Sequence, residues 1–160
     1  MHAIVFEIGD RRFGLEVNAV REIVRAVAIA PLAGAPAIVE GVINLRGTIV
    51  PVLDVRQRFG MPRTPLTVDQ HFVVARAGTR LVALRVDRAL ELTTLDDGAV
   101  EPLDVLAVAS DYVESVAKLP DGVLVIHDLT RLLDGDEGAR LDDAVDGERA
   151  RSDAALGVAT

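Results

Sequence analysis

Short apolar runs rich in Val, Ile and Leu, separated by turns built on Gly, Asp and Pro, set the pattern of residues 2–133. The clearest unit is GVINLRGTIVPVLDVRQRFG, residues 41–60, in which the runs Gly41–Leu45 and Thr48–Leu53 flank Arg46-Gly47. Runs of this length and composition predict strands, and a glycine in so short a connector supplies the positive φ of a tight hairpin. Pro51 cannot donate to a ladder, so its strand is expected at an edge or to carry a bulge there. Asp54 is placed to cap a short helix, with Gln57 as its reciprocal partner and Gly60 as the stop.

The same grammar runs through the rest of the chain. Ile4–Ile8 and Arg12–Val17 flank Gly9-Asp10-Arg11, a predicted hairpin, and VNAVREIV (17–24) predicts one helical turn near Asn18–Val20 passing into a strand. PLAGAPA (31–37) and the proline-bearing segment 61–70 read as connectors. The order then starts again. His71–Arg76 and Arg80–Val86 flank Ala77-Gly78-Thr79. VDRALELT (86–93) can be laid on VNAVREIV, Asp87 on Asn18, Glu91 on Glu22 and Leu92 on Ile23. SVAKLPDGVLVIHDLTRLL (115–133) falls on residues 41–59, with Asp128 on Asp54, and its turn Pro120-Asp121-Gly122 reads as one residue longer. The extra residues of the second copy sit in 96–111. Two hairpin-rich stretches can align by chance, but here cap, turn and strand signals recur in one order.

Each copy holds about five short strands and a closing helical turn, which predicts an all-β, barrel-like fold. A unit of ~60 residues is marginal alone, so the two should share an apolar seam. The expected organisation is one domain over residues 1–134, with approximate halves 1–66 and 67–134 between which strands can be exchanged. Residues 135–160 lose the strand pattern and gain charge, Gly and Ala. They are expected to form a disordered acidic tail, dispensable for folding.

Composition narrows the function. The chain carries a net charge of −8, four Phe, one Tyr, no Trp and no Cys. Residues 134–160 hold eight acids and three arginines, and residues 1–133 hold 17 acids and 14 bases, so neither part offers a basic field for phosphates. Without an aromatic platform for stacked bases, nucleic-acid binding is a poor reading. No disulfide or thiolate metal site is available, and no apolar segment reads as a signal peptide or a membrane span.

Nothing in the sequence assembles a reaction centre. His2, His71 and His127 lack metal-ligand spacing, Ser110 and Ser115 lie in no nucleophile elbow, and the glycines form no phosphate cradle. His127-Asp128 invites a general-base reading, but a base needs a third group and a pocket to orient it. A strand histidine followed by a helix cap is the simpler account. No catalytic residue, metal site or cofactor is expected. Arg46 and Glu22 stand out instead. Each reads either as an ordinary exposed charge or as one half of a pair fixed beside a partner site.

With VNAVREIV upstream and VAKLPDGVLVIHDLTRLL downstream, the run NLRG-x-I-V-P-V-x-D resembles the CheW family of bacterial chemotaxis coupling proteins. The likeness spans roughly residues 3–134. It implies two five-stranded SH3-like barrels side by side and a cytoplasmic, non-catalytic scaffold recruited to receptor arrays. The partners implied are the cytoplasmic hairpin tip of a chemoreceptor and the regulatory domain of a CheA-type histidine kinase, which shares the fold. At 160 residues the chain resembles the stand-alone adaptor rather than the kinase. Positions matching Val20, Glu22, Ile23, Gly41, Leu45, Arg46 and Gly47 are expected to serve receptor and kinase coupling or its support. The groove between barrels is expected to receive the receptor helix. Ser115 and His127 depart from the family pattern, which usually has a glycine and an aliphatic residue there. Whether the pathway serves swimming, a pilus or development stays open, as does a ligand-binding module or enzyme using the inter-barrel groove.

Overall fold

Alternation of burial along the strands shows what each one is for. The structure, a computed structural model, describes residues 1–95, 98, 100–102, 113–120, 122–133 and 135–159. The strands in chain order are β1 (His2–Ile8), β2 (Arg11–Glu16), β3 (Val20–Arg25), β4 (Val39–Leu45), β5 (Thr48–Leu53), β6 (His71–Ala77), β7 (Arg80–Val86), β8 (Arg88–Thr94), β9 (Val100–Pro102), β10 (Val113–Leu119) and β11 (Gly122–His127). The helices are α1 (Val55–Arg58) and α2 (Gly135–Ala159). Segments Val17–Ala19 and Leu129–Arg131 are 3-10 turns.

Two sheets result, ordered β8-β1-β2-β11-β10-β9 and β3-β6-β7-β5-β4. Both use one plan. A hairpin (β1–β2 or β6–β7) is flanked by a single strand (β8 or β3) and, through one parallel pairing, by a second hairpin (β11–β10 or β5–β4). The repeat is therefore real as architecture, but neither sheet is built from one half of the chain. Hairpin β1–β2 sits with β8, β10 and β11, while β6–β7 sits with β3, β4 and β5. Asp87 alone separates β7 from β8, too little for a reversal, and the 3-10 turn after β2 delivers β3 to β6, so neither third strand joins its own hairpin. One sheet also carries a sixth strand, β9, where five were expected. Leu119 pairs with Gly122 as Leu45 pairs with Thr48, so the second hairpin turn is no longer than the first. Asp96, Asp97 and most of the long 96–111 segment, including Ser110, fall outside the described residues.

Phe72 and Val74 of β6 point into the five-stranded barrel, where they meet Ile43, Val50, Val52 and Ala83. Val73, Ala75 and Ala77 point the other way, into a seam shared with Phe6, Ile8, Phe13 and Leu15 of the other sheet. Strands buried on both faces read as continuous apolar runs, which is how β6 and β7 read. Leu129, Leu132 and Leu133, aligned above with Val55, Arg58 and Phe59, close the same seam. Both aspartates cap the turns that follow them, but Gln57 does not complete the expected box, because the Asp54 amide donates to Ile38 O at 2.8 Å. Asp54 accepts from the Arg56 amide at 3.1 Å and Asp128 from the Thr130 amide at 2.9 Å.

The acidic tail corrects the sequence reading: Gly135–Ala159 is helical and docked, not disordered. Leu141, Ala144 and Val145, one apolar stripe at i, i+3 and i+4, are buried, and Leu141 and Val145 join the seam cluster. Glu137 takes both oxygens to Arg58 (2.7 and 2.8 Å), and Asp142 takes both to Arg80 (2.8 and 3.0 Å). The Arg80–Asp142 pair is exposed and contributes little, and the part-buried Arg58–Glu137 pair has its own desolvation to offset. The apolar stripe therefore decides the docking, and the arginines fix its register. Leu141→Ala is expected to destabilise the fold by about 2–4 kcal/mol, as for other buried leucines. A chain ending at Leu133 should melt well below the full chain in a thermal scan monitored by circular dichroism. Equal melting temperatures would show that the helix contributes nothing.

Candidate functional site

The β4–β5 connection is a two-residue loop in which both residues have positive φ, +50° at Arg46 and +88° at Gly47. That is the turn whose twist matches paired strands. Sequence reading assigned the left-handed conformation to the glycine alone, whereas the arginine adopts it too. A side chain there costs about 1 kcal/mol, and two contacts offset it. The Gly47 amide donates to Asn44 Oδ1 at 2.7 Å, and the Arg46 guanidinium donates to the Glu22 carboxylate of β3. Asn44 was missed, although an asparagine three residues before a turn glycine is a legible signal. Arg46 remains 66% exposed and Glu22 26%, so the pair is anchored on the strand side and open at the tip.

β3 and β4 are the outer strands of their sheet, yet they are linked twice. The first link is the Glu22–Arg46 pair. The second is made beyond β3, where the Ala30 amide donates to Val42 O at 2.9 Å and the Val42 amide returns to Ala30 O at 2.8 Å. Gly41 makes this closure possible. It lies at a bulge in β4, and a Cβ there would stand 2.1 Å from Ala30 O.

The seven predicted residues thus divide. Glu22 and Arg46 touch, and Ile23, 38% exposed, follows Glu22 on the edge strand. Val20 packs against the seam and Leu45 against the interior of the five-stranded barrel. Gly47 shapes the tip, and Gly41 lies four residues back along β4, away from it. An open cleft of about 450 Å³ runs beside the hairpin, between Thr48, Ile49 and Pro51, the Thr79–Leu81 segment, and residues 141–149 of α2.

Elsewhere several ionisable groups are bound into structure. Arg85, inside an apolar run, pairs with Glu40 at 2.6 Å and donates to Thr64 O at 3.0 Å. Burial and the neighbouring Asp54 carboxylate push Glu40 above its ordinary range against the pull of Arg85. Asp87 accepts from the Gly9 amide (2.6 Å), Arg56 (2.7 Å) and Gln70 (3.0 Å). Burial would raise its pKa, but these donors outweigh it and hold the carboxyl below the usual range. Sequence reading missed this network, whose signal was a charge inside each of two strand-like runs. Among the described residues no group of three or more His, Cys, Asp or Glu could hold a metal ion, and no helix is long and apolar enough to cross a membrane.

His127 and Asp128 do not act as a pair. Asp128 takes both the amide and the hydroxyl of Thr130. His127 is buried with its ring centroid 5.0 Å from those of Phe13 and Phe59, and its Nδ1 lacks a partner.

Fold and site together define a double β-barrel module with a clamped hairpin tip. The chain belongs to the CheW-like domain family, whose model matches residues 2–137. It is 39% identical over 124 residues to "Chemotaxis protein CheW" of Rhizobium meliloti (strain 1021), covering 78% of this chain and 77% of that one. The protein of the same name from Klebsiella aerogenes is 28% identical over 141 residues, 87% and 85% of the two chains. Among solved structures, the scaffolding protein TtCheW from Thermoanaerobacter tengcongensis superposes with a TM-score of 0.76 at 30% identity, covering 85% of this chain and 94% of that one.

Two measurements test the geometry. Gly41→Ala should cost more stability than Gly47→Ala, since the first drives a methyl group into Ala30 O and the second meets nothing within 4 Å. The Gly47 change carries only the left-handed penalty of about 1–2 kcal/mol. Denaturant melts giving the reverse order would contradict the closure described for β4. Burial, opposed by backbone bonds at Gly14 and Val125, lowers His127 to about 4 from an ordinary 6.5. The unfolded chain then binds the extra proton between those values, so stability should fall as pH drops through about 6.5 toward 4. His127→Leu should flatten that part of the profile. An unchanged slope would remove His127 as its source.

Proposed function

We propose that this chain is a non-catalytic scaffold in chemotaxis signalling, coupling chemoreceptors to a CheA-type histidine kinase. The observation that carries the reading is the clamped tip. In a chain matched by the CheW-like model over residues 2–137, a tight hairpin holds Arg46 against Glu22 of the edge strand, whose next residue, Ile23, is exposed. In this reading Glu22, Ile23 and Arg46 meet the partners. Val20, Gly41, Leu45 and Gly47 keep the edge strand and the hairpin in place. The partners are the helical hairpin tip of the receptor and the kinase's regulatory domain, and the chain works in the cytoplasm at receptor arrays. Names of relatives that say "chemotaxis" and "scaffolding" support the assignment.

Pre-organisation gives the tip its value, because a side chain already held loses little freedom when a partner binds. A partly desolvated charge-assisted contact contributes roughly 1.5–3 kcal/mol. Arg46→Glu should therefore leave the fold intact and weaken assembly with receptor and kinase by roughly tenfold or more. Glu22→Arg should weaken it as well, and the double reversal should recover part of the loss, since the pair would reform with its charges exchanged. Pull-downs with receptor fragments and kinase, alongside circular dichroism, provide the readout. Normal coupling by folded Arg46→Glu protein would sink the assignment of the tip.

A further inference from the structure

The exposed positions of β3 alternate with its half-buried ones, and they are Arg21, Ile23 and Arg25. Val27 follows, 53% exposed. Arg76, near the end of β6, lines a small cleft together with Arg21. The acid on this strand, Glu22, is turned to Arg46 and neutralised there. In a chain of net charge −8, Arg46, Arg56, Arg58, Arg80, Arg85 and Arg88 each hold a carboxylate. Among the described residues Arg21, Arg25 and Arg76 hold none, although acids are in surplus. The outer edge of β3 is thus a narrow strip of uncompensated positive charge with an apolar residue at its centre.

We propose that this strip selects the partner by charge. It fits a helix whose apolar residue docks on Ile23 and is bracketed by two carboxylates that pair with Arg21 and Arg25. The spacing sets the partner's register. Four residues of regular strand span about 13 Å, the bulge at Arg21 shortens that span, and helix positions two turns apart, i and i+7 or i+8, span about 10.5–12 Å. The intervening apolar residue then falls at i+3 or i+4, over Ile23. The chain's net charge of −8 disfavours such a helix elsewhere, so the strip also fixes the orientation in which it approaches. This inference rests on the scaffold reading and names the chemistry of the receptor helix that would meet β3.

The test uses full-length protein and the cytoplasmic tip fragment of a chemoreceptor from the same genome. Arg21→Glu with Arg25→Glu should fold by circular dichroism and lose at least roughly tenfold in affinity for the tip. Part of that loss should return when the bracketing carboxylates of the tip are replaced by lysine. Arg21→Gln with Arg25→Gln should bind more weakly than wild type and show a shallower dependence on ionic strength. A folded double-reversal variant that binds as wild type, or a lysine-bearing tip that binds both proteins alike, overturns the strip alone. Wild-type protein that binds neither receptor tip nor kinase regulatory domain overturns the scaffold reading and this inference with it.

Discussion

The single-residue link between β7 and β8 is the constraint on which the architecture rests. A chain leaving a strand cannot reverse within one residue, so Asp87 carries it out of one sheet and into the other. The same residue secures the crossing. Its amide donates to Glu7 O at 2.8 Å, and its carboxylate gathers the Gly9 amide, Arg56 and Gln70. Four parts of the chain meet at that carboxylate: the β1–β2 turn, the crossing itself, the short helix after β5 and the connector before β6. Apolar burial in the seam supplies most of the cohesion, while this polar junction specifies how the two sheets face each other.

The hairpin tip uses the same economy at its own scale. Backbone strain at Arg46 persists because neighbours on three sides over-determine it: Asn44 beneath, Gly47 beside and Glu22 across the sheet edge. The far end of the hairpin is fixed by the close approach of Ala30 to Gly41. Anchored at both ends, the hairpin offers a partner a surface of fixed shape.

The strands and turns were legible because each hairpin is encoded locally, by apolar runs around a glycine-bearing turn. Which hairpin belongs to which sheet was less legible. The repeat suggested two sequential halves; the one-residue link at Asp87 is too short for β8 to turn back, while the crossing at Val17–Ala19 is visible only in the fold. The docked C-terminal helix was read as a tail because the apolar stripe seen among its described side chains is short, Leu141, Ala144 and Val145, in 25 residues dominated by acids, Gly and Ala. Its partners, Arg58 and Arg80, lie 79 and 62 residues away, beyond the reach of local pattern. At the site, the Glu22–Arg46 contact could be posed from the sequence but not decided, since 24 residues separate the two and only the closure of the sheet brings them together.

Interleaved sheets also impose a timetable on synthesis. The five-stranded sheet is complete once residues 20–86 have left the ribosome, so it can form as a contiguous unit. The six-stranded sheet cannot. Hairpin β1–β2 emerges first, yet its pairing partners β8 and β11 follow some 80 and 110 residues later in the chain. Until then the strand edges of this hairpin wait unpaired, although the apolar face of its Phe6, Phe13 and Leu15 can already pack on β6 and β7. Of the two sheets, the one whose first hairpin is made earlier is therefore finished later.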